Sequence, residues 1–227
     1  MRLLALLRGD VRFQWKYGFY FIYLVFTLLY ALLLFAVPQT VRRTVATILI
    51  FTDPAAMGLF FMGALVLLEK SQRVNCALAV SPVEIGEYIL AKMMSLAFVG
   101  LLVGMLLAAM GGVADYVSCA LGVLFASFLF SMCGLIVAMR VATLNQFLIF
   151  TIPFELFICL PPAMLLFGVE PALLILHPGV AAVKLIHGGA TAPLLCVCVL
   201  LGWCIGAFLL CKSAVRRNFL SMGGVSL

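Results

Sequence analysis

Charge is what this sequence has least of. Only 10% of its 227 residues are Asp, Glu, Lys or Arg, whereas 67% are hydrophobic. A soluble domain normally carries about a quarter charged residues, so most of this surface must face lipid. The length suits about six spans of ~20 residues each with their connections. That leaves no room for a separate soluble domain, so any nucleotide-driven work must come from another chain.

Several catalytic and metal-binding motifs are also missing. There is no GxxxxGK[ST] phosphate loop, so we do not expect the chain itself to hydrolyse ATP. There is no HExxH motif and no CxxC pair, and the eight cysteines lie mostly in apolar runs, as packing residues do. The two histidines fall outside those runs and no Gly-x-Ser-x-Gly elbow occurs, which argues against an intramembrane serine protease. We expect no catalytic residue, metal or cofactor in this chain.

What the sequence has instead is a set of long apolar segments. They cover residues 17–37, 47–68, 93–110, 117–139, 146–167 and 192–211. Asp53-Pro54 interrupts the second, and Pro153, Pro161 and Pro162 are predicted to break the fifth. No internal repeat is evident. The sequence therefore predicts an all-α integral membrane fold with six transmembrane helices in one domain, residues 1–227.

The basic residues gather on one side of this six-span topology. An even number of spans places both termini together, on a side that holds eleven of the fourteen Lys and Arg residues. Because cytoplasmic loops carry an excess of Lys and Arg, we expect both termini and the loop at 69–92 to be cytoplasmic. The larger group is Arg2, Arg8, Arg12, Lys16, Lys70, Arg73, Lys92, Arg140, Lys212, Arg216 and Arg217, and the smaller is Arg42, Arg43 and Lys184.

Two segments outside the spans are apolar without being long enough to cross. Residues 1–16 form an amphipathic pattern, with basic residues on one third of the helical wheel and leucines opposite, which is typical of an interfacial helix. It serves either as a lipid anchor alone or as an anchor that also contacts a partner. Residues 168–191 contain Pro171, Pro178, Gly179, Gly188 and Gly189, and are predicted to form short re-entrant helices at the outer side.

The loop at 69–92, EKSQRVNCALAVSPVEIGEYILAK, has the most regular charge pattern. Ser81 and Pro82 can open a helix over 83–92, since proline loses nothing in a first turn. Glu84 and Glu87 would then lie near the helix N-terminus, which favours acids, and Lys92 near its end. Such a helix is either a docking surface for another protein or a purely structural connection.

At these residues the sequence resembles the type-2 ATP-binding-cassette (ABC) exporter permeases. The similar elements are Glu69-Lys70, LAVSP at 78–82 and EYILAK at 87–92, together with HPGVAAVKLIHG at 177–188. The last is similar to the family's Asn-Pro-centred outer segment, with His177 where Asn is usual. Arg73 stands where the family commonly has Gly, which bears on the turn there. Asp53-Pro54 and the chain length point to the smaller drug-export permeases, such as the fluoroquinolone-export type.

The resemblance implies partners. The stretch after the second span is expected to contact a separate ABC ATPase subunit, two copies of which carry ATP and Mg. A second permease chain, identical or different, is expected beside this one in a prokaryotic plasma membrane, in contact with lipid and without nucleic acid. The residues expected to couple to the ATPase are Glu69, Lys70, Val80, Ser81, Pro82, Glu84, Glu87 and Tyr88.

Polar residues inside the spans are the candidates for a substrate path. Glu155 lies about 14 Å into the fifth span, where an ionisable group usually faces a cavity or a partner. It is either a site for cargo or a protonated carboxyl bonded to a neighbouring helix. Asp53 is either solvated or paired with a basic residue. Thr151, Thr27 and Tyr23 line the path or make packing hydrogen bonds.

These features predict a permease subunit of an ATP-driven exporter that moves hydrophobic or amphiphilic substrates, such as drugs, peptides or lipids. The alternative is a stand-alone proton-coupled transporter that uses Glu155, although such carriers usually contain repeats. A third possibility is a non-transporting assembly factor or enzyme scaffold.

Overall fold

The computed structural model describes residues 2–55, 57–74, 83–166, 172–188, 190 and 192–222, and these are almost entirely helical. Nine α-helices follow one another, with a π-helical turn at Phe51–Ala55 and a 3₁₀ turn at Ala172–Leu176 within the described ranges. The α-helices are α1 Arg2–Lys16, α2 Phe19–Ala36, α3 Gln39–Ile50, α4 Met57–Ser71, α5 Ile85–Gly111, α6 Tyr116–Arg140, α7 Leu144–Leu166, α8 Pro178–His187 and α9 Pro193–Met222.

Six helical stretches are long and apolar enough to cross a membrane, as the hydropathy pattern predicted. The second comprises α3, the π-helical turn and α4, and so begins at Gln39 rather than near residue 47. The extra turns carry polar residues that bond within the protein; Arg42, for example, donates to the Val37 carbonyl at 3.2 Å. The other spans are α2, α5, α6, α7 up to Leu165, and α9 up to Leu220.

The fourth span, α6, is the centre of the bundle, and α4, α5, α8 and α9 all pack against it. Close packing needs small residues here, because van der Waals contact and not hydrophobic exclusion joins helices in lipid. A Cβ on Gly134 of α6 would lie 2.3 Å from the Leu59 carbonyl oxygen of α4, so only glycine fits. The spans α2, α7 and α9 surround this centre and are mostly exposed in the isolated chain.

The prediction that prolines break the fifth span is wrong. Helix α7 continues through Pro153, Pro161 and Pro162 to Leu166. Each proline removes one backbone hydrogen bond and frees one carbonyl four residues earlier. The Ile158 carbonyl, freed by Pro162, faces Gly179 of α8, where a Cβ would lie 2.0 Å from its oxygen.

The bundle has two ends, which we name for reference. The proximal end holds α1, the end of α4, the start of α5 and the ends of α6 and α9. Asn218 of α9 donates to the Met139 carbonyl of α6 there. The distal end holds the starts of α3 and α6, the end of α5, and α8. There Gly111 of α5 lies against Ala46 of α3, with an added Cβ only 2.2 Å from the Ala46 Cβ.

Candidate functional site

A buried ion network lies at the proximal end. Lys92, in the second turn of α5, is 1% exposed and donates to Asp10 of α1 at 3.0 Å and to Glu69 of α4 at 2.5 Å. Asp10 and Glu69 are themselves buried. One ammonium thus bridges carboxylates from two other helices, which joins α1, α4 and α5 at one point.

Two neighbouring contacts extend this network. The Tyr88 hydroxyl, one turn before Lys92, donates to Glu69 Oε2 at 3.1 Å, and the Lys92 ammonium lies 4.9 Å from the centre of the Tyr88 ring. One turn further along α1, the Gln14 amide donates to Ser95 Oγ at 2.9 Å. The inward face of α1 is therefore polar and specific, so its contact with α5 fixes position as well as burying area.

Lys70 joins a fourth helix to the same place. Its ammonium donates to the carbonyls of Ala138 at 2.7 Å, Met139 at 3.1 Å and Val141 at 3.1 Å. The last carbonyls of a helix lack intrahelical partners and carry partial negative charge, so a lysine there both satisfies and stabilises the end of α6. Glu69 and Lys70 are adjacent in sequence, yet they hold α5 and α6 respectively.

The start of α5 corrects the predicted helix over 83–92. Helix α5 begins at Ile85 and runs unbroken for 27 residues, so the expected short helix is the first part of the third span. Glu84 is the N-cap and not a first-turn residue, and it forms a capping box with Glu87, whose carboxylate accepts from the Glu84 N–H at 3.3 Å. The predicted cap and coupling residues Val80, Ser81 and Pro82 lie outside the described residues.

Arg73 follows the end of α4 and has a φ of 56°, the left-handed conformation that favours glycine. Its N–H donates to the Lys70 carbonyl at 3.1 Å, which closes the turn. The backbone at position 73 therefore has a conformation that favours glycine, although an arginine occupies it. Beside this turn the Gln72 amide contacts the Tyr17 hydroxyl, which joins the α1–α2 corner to the end of α4.

The residues predicted to couple to an ATPase lie in different environments. Glu69 and Tyr88 are buried in the bundle and Lys70 is half-buried, whereas Glu84 is exposed. Lys92, counted among the surface charges of one side, is among the most buried residues. Asp10 was missed. The sequence does contain a pattern that indicates its role: Asp10 and Gln14 are four residues apart and form a polar stripe on an otherwise basic and apolar helix.

The substrate-path candidates fall in two separate places. Tyr23 is buried and packs its ring edge against Phe61 at 4.7 Å, and the Thr27 hydroxyl donates to the Tyr23 carbonyl at 2.6 Å. Asp53 is buried in the π-helical turn, on the side that faces these α2 residues. Thr151 and Glu155 lie on α7 instead: Thr151 is buried and donates to the Leu148 carbonyl at 2.9 Å, and Glu155 is half-buried.

The distal end is organised around α8. Pro178 occupies its first turn, and the His177 ring packs against the Phe157 ring of α7 with centroids 4.9 Å apart. Burial lowers the pKa of His177, an effect that the nearby Phe157 carbonyl, freed by Pro161, partly offsets. Short helices in the 168–191 region were predicted, and within its described part the 3₁₀ turn and α8 provide them, packed against α3, α6, α7 and α9.

Arg43 of α3 holds the C-terminal end of α8. Its guanidinium donates to the His187 carbonyl at 2.9 and 2.7 Å and to the Gly188 carbonyl at 2.9 Å. Thr47 Oγ1 lies 3.0 Å from His187 Nδ1. Burial, and to a smaller degree the charge of Arg43, lower the pKa of His187. The smaller group of basic residues is therefore partly structural, and it fixes α8 to the second span.

An all-helical bundle with six membrane-length helices, fixed at one end by a buried ion network, defines a multi-pass membrane protein. The fluoroquinolones export permease protein family matches residues 1–214, and the chain belongs to this family of ABC-2 type permeases. Membership implies a transport subunit and not an ATPase. No curated protein matches the chain.

Proposed function

We propose that this protein is the permease subunit of an ATP-driven ABC exporter and that a separate ATPase drives it from the proximal end. The observation that carries the proposal is the Asp10–Lys92–Glu69 network. It lies where the polar segment 69–92 meets the bundle, and with Lys70 it joins α1, α4, α5 and α6. A push on this end moves four helices together and does not merely bend one loop.

The coupling path runs through α5. Glu84 and Glu87 cap its start, and the helix continues for 27 residues to Gly111 at the distal end. A helix of that length spans about 40 Å. Movement of the capped end is therefore carried across the membrane without an intervening hinge, and the acids of the cap are suited to contact basic residues of the ATPase.

Further elements of the proposal concern the membrane and the second permease chain. The exposed apolar side chains of α1, among them Leu4 and Trp15, suit an interfacial helix at the cytoplasmic face, with both termini on that side. The exposed faces of α2 and α7 suit contact with a second permease chain, between which cargo would leave. Segment 168–191 would be the re-entrant outer element.

The substrate is proposed from the family and from the lining of the bundle. The family description names fluoroquinolone export. An amphiphilic drug-like molecule suits spans with few polar residues, of which Glu155 and Asp53 are acidic, with Thr151, Thr27 and Tyr23 as the remaining polar candidates. Glu155 is half-buried on α7 and would face such a molecule at mid-membrane depth.

Charge variants at the start of α5 test the docking assignment. The permease is co-expressed with its ABC ATPase, and co-purification and ATP-dependent export from vesicles are measured. Glu84→Lys/Glu87→Lys should abolish both. Glu84→Ser/Glu87→Gln removes the charges but keeps a capping box, so it separates docking from helix stability. Lys212→Glu, an exposed reversal at the same end, is the control. Full binding and export by the Glu84→Lys/Glu87→Lys variant would refute the assignment.

A further inference from the structure

A cavity of about 420 Å³ lies at the distal end between α3, α7 and α8. Its walls are largely apolar and include Ile48, Phe51, Pro162, Ala163 and Val183. This size and composition are typical of a site for a small molecule, since such sites combine an apolar lining with a few polar groups. The cavity is far from the proximal ion network, because Lys92 lies at the start of α5 and the cavity lies beside its far end.

The cavity lining carries a lysine and no described acid. Lys184 of α8 lines it, and no Asp or Glu among the described residues does. His187 also lines it, but the lowered pKa of its ring favours the uncharged form. Arg43, next to the cavity, already donates to the carbonyls of His187 and Gly188. Within the described part of the chain the Lys184 ammonium has no hydrogen-bond or ion-pair partner. An acidic group bound in the cavity would therefore meet an ammonium that no described carboxylate already pairs with.

Two of the remaining polar side chains of the lining already bond within the protein. The hydroxyls of Thr47 and Thr52 donate to the carbonyls of Arg43 and Ile48, at 2.9 and 2.7 Å. Both hydroxyls are therefore used as donors, and Thr47 Oγ1 also lies 3.0 Å from His187 Nδ1. Lys184 is thus the strongest free donor of the described lining, and an acidic group bound here is expected to lie next to it.

We propose that this cavity binds the anionic end of an amphiphilic cargo molecule, with Lys184 pairing its acidic group and the apolar walls covering its ring system. The inference rests on the proposed export function and adds a location and a charge preference to it. The shared chemistry, an amphiphile with one acidic group, also describes an anionic phospholipid, so the experiment must separate these two ligands.

Binding to the purified permease, without ATPase, tests the proposal independently of the energy source. The probes are norfloxacin, a fluorescent quinolone acid, and its ethyl ester, in nanodiscs of zwitterionic lipid. Lys184→Gln should weaken binding of the acid about tenfold or more and leave the ester within about twofold, because only the acid pairs with the ammonium. Lys184→Arg should restore binding of the acid, and Lys212→Gln should change the binding of neither ligand.

Two results would overturn the proposal. One is equal binding of the acid by the wild type and Lys184→Gln, and the other is an equal loss for acid and ester, which would indicate a structural role of Lys184. Adding phosphatidylglycerol to the nanodiscs tests whether the natural ligand is an anionic lipid. If phosphatidylglycerol displaces norfloxacin from the wild type, and this displacement requires Lys184, the cavity is a lipid site instead. If ATP-dependent export is the same in the wild type and Lys184→Gln, the cavity is not the cargo site, and the proposed exporter function is unaffected.

Discussion

Replacing Lys92 by methionine is expected to destabilise the protein more than any other single lysine replacement among the described residues. Methionine fills nearly the same volume, so the change isolates the charge. It leaves Asp10 and Glu69, which Lys92 contacts at 3.0 and 2.5 Å, buried side by side without a counter-ion. Breaking a buried ion pair by removal of one partner costs about 3–5 kcal/mol. For a chain of this size that corresponds to a fall of about 6–20 °C in the midpoint of thermal unfolding.

The assay is the temperature at which half of the detergent-solubilised protein is lost from the monodisperse peak of a size-exclusion column. Lys212→Met, at an exposed lysine of α9, should shift this temperature by no more than about 2 °C. The ion network predicts a rescue: Asp10→Asn and Glu69→Gln, added to Lys92→Met, remove both unpaired charges and should recover most of the loss. A Lys92→Met protein as stable as the control, or a triple variant worse than Lys92→Met, would contradict the reasoning.

Four further predictions concern the turns and the distal end. Gly179→Ala places a methyl 2.0 Å from a carbonyl oxygen of α7 and should cost about 1–3 kcal/mol, whereas Gly202→Ala, in open space, should cost nothing. Arg43→Gln should cost about 2 kcal/mol and increase hydrogen exchange at the end of α8, since it removes charged donors from three contacts. Arg73→Gly should be up to about 1 kcal/mol more stable than wild type in detergent unfolding, because it relieves a φ of 56°, and a destabilised variant would argue against that strain. Burial lowers the pKa of His187, so the unfolded chain binds more protons near the ordinary value of ~6.5; stability should therefore fall between pH 7.5 and 5.5, and less steeply in His187→Gln.

Features that depend on residues close together in the sequence could be predicted, and contacts between distant residues could not. Hydropathy is summed over ~20 residues, so the number and type of spans were predictable. The family pattern commonly has Gly where Arg73 stands, but the sequence alone left the turn geometry there open. The partners of Lys92 were not predictable, because Asp10 lies 82 residues away and only the packed bundle brings them together. A lysine near a predicted helix end is usually solvated, and nothing local marks this one as buried.

The prolines of α7 illustrate the same limit. Proline normally ends a helix because it removes a hydrogen bond, and the sequence alone does not reveal what replaces it. At one of these prolines, the Ile158 carbonyl that Pro162 frees lies against Gly179 of α8. Helix α7 continues through all three prolines, so whether a proline breaks a membrane helix depends on tertiary packing that the local pattern does not contain.

Transport in inside-out vesicles tests the central claim most directly. Vesicles that contain the permease and its ABC ATPase are incubated with norfloxacin in the outer solution. Accumulation of norfloxacin inside the vesicles is then measured with ATP, with a non-hydrolysable ATP analogue, or with a proton gradient alone. We predict accumulation that requires ATP hydrolysis, survives a protonophore and is lost in Glu84→Lys/Glu87→Lys. Accumulation driven by the proton gradient without nucleotide, and abolished by Glu155→Gln, would contradict the account and establish a proton-coupled carrier instead.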